Sequence, residues 1–377
     1  MVQGYRGPAL DVPALAEAGP GGLARWATAA LTGQTRRRGG LVCGLVPFDP
    51  QARPDLFVVE QPQRHRVDLS AVCAEQQRTP GADEALERAR MSMAADLREA
   101  ATRCDDSYRR SVAQALISIA DGALRKVVLA RSIDLSLADL DVDLVWARLA
   151  ARNPQGYAFA VRSPGGVVFL GASPELVAEV DGTGFATHPL AGSAPRSGDA
   201  ATDAARGREL LASDKDRREH RFVVDHIVDR LRPLLRRLDV PSGPGLFATD
   251  AMLHLGTRLT GVLRPDVTAL EAAATIHPTP AVCGVPTQGA LDAIRHLEPH
   301  DRGCYAGLVG WQDAAGHGQW ALALRCARIR DGQARLFAGA GVVAGSTPDA
   351  EHAETAAKFA TMTASLAPAS AGTGDPR

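Results

Sequence analysis

The sequence has no excess of positive charge, since 42 Lys and Arg residues stand against 43 Asp and Glu residues, for a formal net charge of -1. Sequence-independent binding to nucleic acid requires many basic residues to neutralise phosphates, so we expect no nucleic-acid partner. No apolar run approaches the roughly 18 residues that span a bilayer. The N-terminus also lacks the regions of a signal peptide, so we expect no membrane association.

The sequence also lacks closely spaced cysteines. None of the six has the spacing of a zinc or redox motif, which favours small buried thiols over a metal or disulfide framework. A reducing cytoplasm is therefore the expected compartment. The cysteines are Cys43, Cys73, Cys104, Cys283, Cys304 and Cys326.

The organisation of the chain changes near residue 105. Residues 1–105 are rich in Pro, Gly and charge and contain no recognisable motif, apart from a charged helical pattern at 83–103. Regular strand and helix patterns begin near Tyr108 and continue to about residue 366. The last eleven residues, 367–377, have the Ala, Ser, Gly and Pro composition of a disordered tail.

Two strand patterns place charged residues in apolar surroundings. KVVLARS, beginning at Lys126, is rich in β-branched residues, and its alternation puts Lys126 on the same face as Val128. VVFLGASPEL predicts a strand that ends at Ser173, because Pro174 stops the ladder and leaves the Glu175 carboxylate at the strand end.

Two helix patterns supply further carboxylates. In SDKDRREHRFVVDHIVDRL, Ser213 is a helix cap and Glu219 lies on or beside the apolar stripe, where a carboxylate needs a partner or a metal. In the C-terminal helix, Glu351, Glu354 and Lys358 have spacings of three and four residues and share one face. Oxygen ligands without histidine or thiolate favour a hard cation such as Mg²⁺. We choose Glu219 and Glu354 as its ligands, with Glu351 holding a metal-bound water.

The sequence also contains groups that are suited to binding an anion. QWALALRCARI predicts one strand with a face of small residues and Arg325, a guanidinium suited to gripping a carboxylate. Gly339 and Gly341 expose backbone N–H groups just before a helix. Together these features predict a small dianionic ligand beside a divalent cation. The glycine string GAGVVAG does not have the spacing of a dinucleotide-binding motif.

Each residue taken alone has a structural explanation. Lys126 alone would be a strand-edge lysine, Arg325 an ion-pair partner, and the acidic helix face a solvated surface with ordinary pairs. His254 and His277 are expected to be satisfied core histidines, or histidines that support site residues from behind, rather than catalysts. Only the joint occurrence of these groups favours a catalytic site.

Nine blocks in matching order give the chain a resemblance to the chorismate-utilising enzymes over about Tyr108 to Leu366. This family includes isochorismate synthase, salicylate synthase and the large components of anthranilate and aminodeoxychorismate synthases. The resemblance implies one large α/β (α+β) domain with packed antiparallel sheets inside and helices outside, with residues 1–105 as a variable part of the same fold and 106–366 as its catalytic part. The blocks are KVVLAR, FLGASPEL, HPLAGSAPR, SDKDRREH, LHLGTRLTG, HPTPAVCG, DRGCYAGLVGW, ALRCARI and AGAGVVAGSTPDAEHAETAAK.

The resemblance also implies residue roles. Lys126 matches the general base that activates water, and Glu175 the general acid that protonates the departing hydroxyl. Glu219 and Glu354 match the magnesium ligands, with Glu351 close by. The groups that match substrate-carboxylate contacts are Tyr305, Arg325, Gly339, Gly341 and Lys358. Gly192, Ser193 and Ala281 are expected at the pocket, although a tight turn explains Gly192 and Ser193 equally well.

Four positions separate the members of the family. Anthranilate and aminodeoxychorismate synthases resemble this chain but carry glutamine at the position of Lys126. Aminodeoxychorismate synthase also places a nucleophilic lysine at the position of Ala191, so water is the expected nucleophile here. Salicylate synthases resemble the HPTPAVCG block but tend to place threonine at Ala281. Ala281 followed by the aliphatic Val282 favours isochorismate synthase.

Three alternatives remain open at this point. The first is a salicylate synthase, which forms isochorismate and then eliminates pyruvate, and the second is a chorismate-binding homologue without turnover. The third is that the N-terminal third of the chain is a separate interaction module. Isochorismate is the starting point of both siderophore and menaquinone synthesis, and the residues do not choose between them. We expect a monomer that binds Mg²⁺ and chorismate, with a downstream enzyme that consumes isochorismate.

Overall fold

The computed structural model describes residues 2–4, 12–34, 40–60, 62–65, 106–137, 140–163 and 165–366. The charged segment 83–103 and the C-terminal segment 367–377 lie outside the described residues. The helices are Leu15–Gln34, 106–120, Val142–Arg152, Ala200–Ala212, Asp214–Leu231, Ala269–Ile276, Thr287–Leu297 and Pro348–Leu366.

The strands carry the labels β1 to β19 in chain order. They are β1 (Val2–Gly4), β2 (Leu41–Val46), β3 (Asp55–Val59), β4 (Gln63–His65), β5 (Lys126–Ser136), β6 (Tyr157–Arg162), β7 (Val168–Ser173), β8 (Leu176–Asp181), β9 (Gly184–His188), β10 (Leu190–Pro195), β11 (Leu235–Asp239), β12 (Gly245–Ala248), β13 (Met252–Gly256), β14 (Leu259–Leu263), β15 (Gly284–Val285), β16 (Leu308–Asp313), β17 (Gly318–Leu322), β18 (Cys326–Arg330) and β19 (Gln333–Val343).

Two large antiparallel sheets dominate the described part of the chain. The eight-stranded sheet has the order β11-β14-β9-β8-β17-β16-β2-β3, and the six-stranded sheet has the order β15-β5-β19-β18-β7-β6. A three-stranded sheet, β10-β13-β12, and the pair β1-β4 complete the arrangement. This confirms the fold class expected from the resemblance, a mixed helix and sheet protein with antiparallel sheets.

The apolar interior explains why the sheets are stacked. One cluster of buried side chains combines residues of both large sheets, among them Leu129 of β5, Val177 of β8 and Leu308 of β16. A second cluster lies between the six-stranded sheet and two helices, and includes Leu149 and Phe359. The six-stranded sheet therefore buries both faces, which is why β5 reads as a continuous apolar run rather than an alternating one.

Local signals placed several elements correctly. The strand at Lys126 is confirmed, as is the strand that ends at Ser173. The helix Asp214–Leu231 begins behind Ser213, whose side chain accepts a hydrogen bond from the Asp216 N–H. The Ser213 hydroxyl thus satisfies one of the free N–H groups of the first turn.

The single strand predicted from QWALALRCARI is wrong. The segment forms β17 in the eight-stranded sheet and β18 in the six-stranded sheet, with a break between Leu322 and Cys326. Arg325 occupies this crossover with a φ of 48°, a conformation that non-glycine residues rarely adopt. Its presentation to a ligand therefore comes from a bend between sheets and not from a strand face.

Among the described residues, no helix is both long enough and apolar enough to cross a membrane.

Candidate active site

A cavity of about 690 Å³, counting its open mouth, lies among β5, β10, β13, β19 and the helices Asp214–Leu231 and Pro348–Leu366. All the predicted site residues except Lys126 and Glu351 line it. Those that do are Glu175, Gly192, Ser193, Glu219, Ala281, Tyr305, Arg325, Gly339, Gly341, Glu354 and Lys358.

Glu175 is a buried carboxyl group with a high proton affinity. It lies between β7 and β8, just after Pro174, and is 4% exposed. Burial raises its pKa to about 8, although a hydrogen bond from the Leu190 backbone and the charges of Lys126 and Lys358 act in the opposite direction. Desolvation disfavours the carboxylate form more than these contacts favour it. Glu175 is therefore mainly protonated at neutral pH.

Lys126 is fully buried beside Glu219. Its Nζ lies 3.0 Å from Glu219 Oε1, yet no hydrogen bond of good geometry reaches this nitrogen from the described residues. Lys126 is not in the cavity lining, but it is close enough to Glu175 for their charges to interact. Glu219 contacts Lys126 and lines the cavity, so it connects Lys126 to the cavity.

Gly341 makes room for the Lys126 and Glu219 contact. Gly341 pairs with Val128 across β19 and β5. A Cβ atom at this position would lie 2.2 Å from Glu219 Oε1 and 3.3 Å from Lys126 Cε. Any side chain there would displace the carboxylate, which is the close-approach role of glycine.

Glu354 and Lys358 form a second pair on the C-terminal helix. Lys358 Nζ lies 2.5 Å from Glu354 Oε1 and donates to the Gly339 carbonyl at 2.9 Å, while Ser193 Oγ donates to Glu354 at 3.1 Å. Burial alone would raise the pKa of Glu354, but the Lys358 charge and these hydrogen bonds lower it. Glu354 is therefore a carboxylate at neutral pH.

Glu351 is 1% exposed and lies outside the cavity lining. Its Oε1 accepts a hydrogen bond from Lys215 Nζ at 2.9 Å. Burial and the neighbouring Glu354 charge raise its pKa, against the effect of Lys215. Glu351 thus lies one helical turn from Glu354 and has a lysine partner of its own.

Arg325 is a buried guanidinium whose described partners are all neutral. It donates to Thr361 Oγ1 and to His254 Nε2, each at 3.2 Å, and it is 7% exposed. Burial lowers its pKa to about 10, so the group stays charged at neutral pH. No carboxylate among the described residues pairs with it. A buried charge of this kind calls for an anionic ligand.

His254 lines the cavity and contacts Arg325. Since arginine only donates, His254 Nε2 accepts, and its proton is on Nδ1. Burial, then the charges of Arg325 and Lys358, lower the pKa of His254 well below its usual range. A neutral histidine therefore orients the guanidinium. His277 hydrogen-bonds the Pro47 carbonyl at 3.3 Å and does not line the cavity.

Tyr305 and Gly192 shape the remaining walls. The Tyr305 ring stacks on Phe337 with centroids 5.0 Å apart, and burial raises the pKa of its hydroxyl, so the phenol is neutral. Gly192 has a φ of 81°, and a Cβ there would lie 3.0 Å from Asp216 Cβ. Both the backbone conformation within β10 and the close approach of Asp216 thus require glycine at 192.

The donor set fits a magnesium ion better than a transition metal. Glu219 and Glu354 line one cavity, and Mg²⁺ uses one or two carboxylates together with waters and an anionic substrate. Among the described residues, no group of three or more His, Cys, Asp or Glu side chains is placed to hold a metal ion, so Glu219, Glu351 and Glu354 do not form one three-ligand cluster. The sequence analysis did not assign Lys215 and Asp216 to the site, although their charges interact with those of Glu219 and Glu354. The charged residues at the start of this helix were the available signal.

The family model for chorismate binding enzymes matches residues 55–367. This chain belongs to the chorismate-binding enzyme family. Among its relatives, isochorismate synthase DhbC of Bacillus subtilis is 48% identical over 266 residues, covering 68% of this chain and 67% of that protein. Isochorismate synthase EntC of Escherichia coli K12 is 37% identical over 356 residues, covering 93% and 88%.

The structure of DhbC from Bacillus anthracis matches with a TM-score of 0.80 at 35% identity, over 97% of this chain and 90% of that one. The similarity therefore covers the described N-terminal strands as well as the part that contains the cavity.

Proposed function

We propose that this chain is an isochorismate synthase, an isomerase that converts chorismate into isochorismate by adding water at C2 and releasing the C4 hydroxyl. The observation that carries the proposal is Glu175, which lines the cavity with a pKa of about 8. A carboxylic acid that is protonated at neutral pH supplies the proton that a departing hydroxyl needs. The similarity to DhbC and EntC supports the same reaction.

The two proton transfers balance. Lys126, as the proposed base, accepts a proton from the attacking water as the new C–O bond forms at C2. Both ring double bonds shift, the C4–O bond breaks, and Glu175 protonates the leaving oxygen so that water departs. Return of a proton from Lys126 to Glu175 through solvent restores both groups.

Cavity groups account for the two substrate carboxylates. Arg325, whose described partners are neutral, binds one of them through parallel N–H donors. Tyr305 and the backbone N–H groups at Gly339 and Gly341 are the proposed partners for the rest of the anionic ligand, with Lys358 contributing positive charge. Gly192, Ser193 and Ala281 complete the wall.

Glu219 and Glu354 would hold magnesium, with Glu351 holding a water bound to the ion. When bound, the ion would neutralise a substrate carboxylate and fix its position. Family members of this kind generally depend on magnesium, which supports the assignment together with the carboxylate pair. Ser193 and Lys358 keep the Glu354 carboxylate in place.

The deciding experiment incubates the purified chain with chorismate and Mg²⁺ and separates the products by chromatography. Isochorismate alone is the expected result. Salicylate together with pyruvate would replace the proposal by salicylate synthase. Chorismate binding without any product would indicate a non-catalytic homologue. Cytoplasmic location, a monomeric state and a downstream isochorismate-consuming enzyme remain predictions.

A further inference from the structure

Glu298 and Arg302 form a buried ion pair close to the cavity without lining it. Their side chains are 2% and 3% exposed. Arg302 Nε donates to Glu298 Oε2 at 2.9 Å, and Nη2 donates to Oε1 at 2.5 Å. This is the two-pronged geometry that makes Arg–carboxylate pairs rigid.

The pair continues the edge of the six-stranded sheet where a strand is missing. The short strand β15 pairs with β5 only at Lys126 and Val127. Beyond it, Arg302 Nη2 donates to the Val128 carbonyl at 2.8 Å, and the Ala130 N–H donates to Glu298 Oε1 at 2.7 Å. The two side chains thus satisfy backbone groups that a neighbouring strand would otherwise satisfy.

Arg302 also contacts Val282, Phe48 and Tyr305. Its Nη1 donates to the Val282 carbonyl at 2.7 Å. Its guanidinium carbon lies 4.2 Å from the Phe48 ring centroid and 5.8 Å from that of Tyr305. Val128, Val282 and Tyr305 all line the cavity. One guanidinium therefore connects three separate pieces of the cavity wall.

A buried ion pair contributes little net stability relative to apolar residues of similar volume, because desolvation offsets the attraction. Stability alone therefore does not account for a pair that uses four of the five guanidinium N–H groups on named partners. Geometric control of the wall does account for it, since the pair contacts three residues that line the cavity and so determine how well a ligand fits there.

We propose that Glu298 and Arg302 are positioning residues that hold Val128, Val282 and Tyr305 at the cavity and thereby set the fit of the substrate ring. The effect on the substrate rests on the proposed function; the effect on the wall does not. Lysine at 302 keeps the charge but cannot reach both carbonyls and both Glu298 oxygens.

The test compares Arg302→Lys and Glu298→Gln with two controls. Arg335→Lys breaks a comparable two-pronged pair with Asp134, at an exposed site between β19 and β5. Leu149→Ala removes buried volume from the second apolar cluster, away from the cavity, and reports the effect of lost stability alone. The readouts are KM and kcat with chorismate, and hydrogen exchange of peptides covering 126–132 and 277–285.

The proposal expects faster exchange confined to these two peptides and a rise in KM of about tenfold in Arg302→Lys, with a smaller change in kcat. Both controls should keep the wild-type KM. They should also keep the wild-type difference in hydrogen-exchange rate between these two peptides and the rest of the chain. Unchanged exchange at 126–132 and 277–285, or faster exchange throughout the chain with KM unchanged, overturns the positioning role. If the wild type does not turn over chorismate, the proposed function fails while the exchange comparison still decides whether the pair holds the wall.

Discussion

Lys126 Nζ and Glu219 Oε1 lie 3.0 Å apart behind the glycine at 341, with Lys126 fully buried. The Glu219 carboxylate therefore contacts the Lys126 amine on one side and faces the cavity on the other. This contact joins the proposed base, Lys126, to the proposed metal site.

Lys126→Gln should lower kcat by about 100- to 10,000-fold, because an amide cannot take a proton from water. Binding of chorismate and Mg²⁺, measured by calorimetry, should stay close to the wild-type value. Arg125→Gln, at the adjacent exposed residue, is the matched control and should retain activity. Loss of binding in proportion to the loss of turnover would indicate that Lys126 is structural.

Turnover should fall as the pH rises above about 8, because Glu175, with a pKa of about 8, must be protonated to act as the acid. A kcat–pH profile measures this. Glu175→Gln should remove most of the activity and with it this descending limb. A wild-type profile that stays flat from about pH 6 to about pH 10 would contradict the role.

Glu175 also predicts how the stability of the protein depends on pH. Its folded pKa of about 8 exceeds the ordinary 4.5, so its contribution to stability is fully present below about pH 4.5 and is lost as the pH rises through about 8. Glu175→Gln, which does not titrate, should therefore gain stability relative to the wild type across this window. Melting temperatures at about pH 5 and about pH 9 measure the gain, and parallel curves would rule it out.

Arg325→Lys should weaken chorismate binding by about 10- to 100-fold, because a charge-assisted hydrogen-bond pair is worth about 1.5–3 kcal/mol. Lysine cannot reproduce two parallel donors at the crossover. Arg328→Lys, three residues later on the exposed side of β18, should leave the dissociation constant unchanged. Equal effects of the two substitutions would argue against a specific carboxylate contact.

Glu219→Gln and Glu354→Gln should each raise the Mg²⁺ concentration needed for half-maximal activity, because each removes a negatively charged ligand. Glu351→Gln should have the smaller effect of an outer contact, about 10- to 100-fold at most. Direct Mg²⁺ binding by calorimetry separates affinity from chemistry. Should Glu351→Gln prove the most damaging of the three, the ligand assignment is wrong.

Gly341→Ala should fold normally and lose activity, because the added Cβ would lie 2.2 Å from Glu219 Oε1 and would push away a flexible side chain rather than backbone. Circular dichroism checks that the variant folds, and the chorismate assay checks that it loses activity. Gly243→Ala is the control, since a Cβ at Gly243 meets nothing within 4 Å. Full activity in Gly341→Ala would mean that the position of Glu219 is not critical.

The features that the sequence predicted well depend on neighbouring residues. The cap at Ser213 and the shared face of Glu351, Glu354 and Lys358 follow from spacing within one helix. The missed features join distant segments: Arg325 meets His254 across 71 residues, and Lys215 meets Glu351 across 136. No local pattern contains such contacts. The crossover at Arg325 was missed for the same reason, since its bend is imposed by two different sheets.

The placement of β2 has a practical consequence for anyone who shortens this protein. β2 pairs with β16 along residues 41–46, and β3 covers its other side. A fragment beginning at residue 106 would leave the β16 edge bare, with unsatisfied backbone groups beside apolar side chains. Such an edge recruits the same edge of another molecule. The shortened protein would therefore be prone to aggregate, even though every proposed catalytic group lies within it.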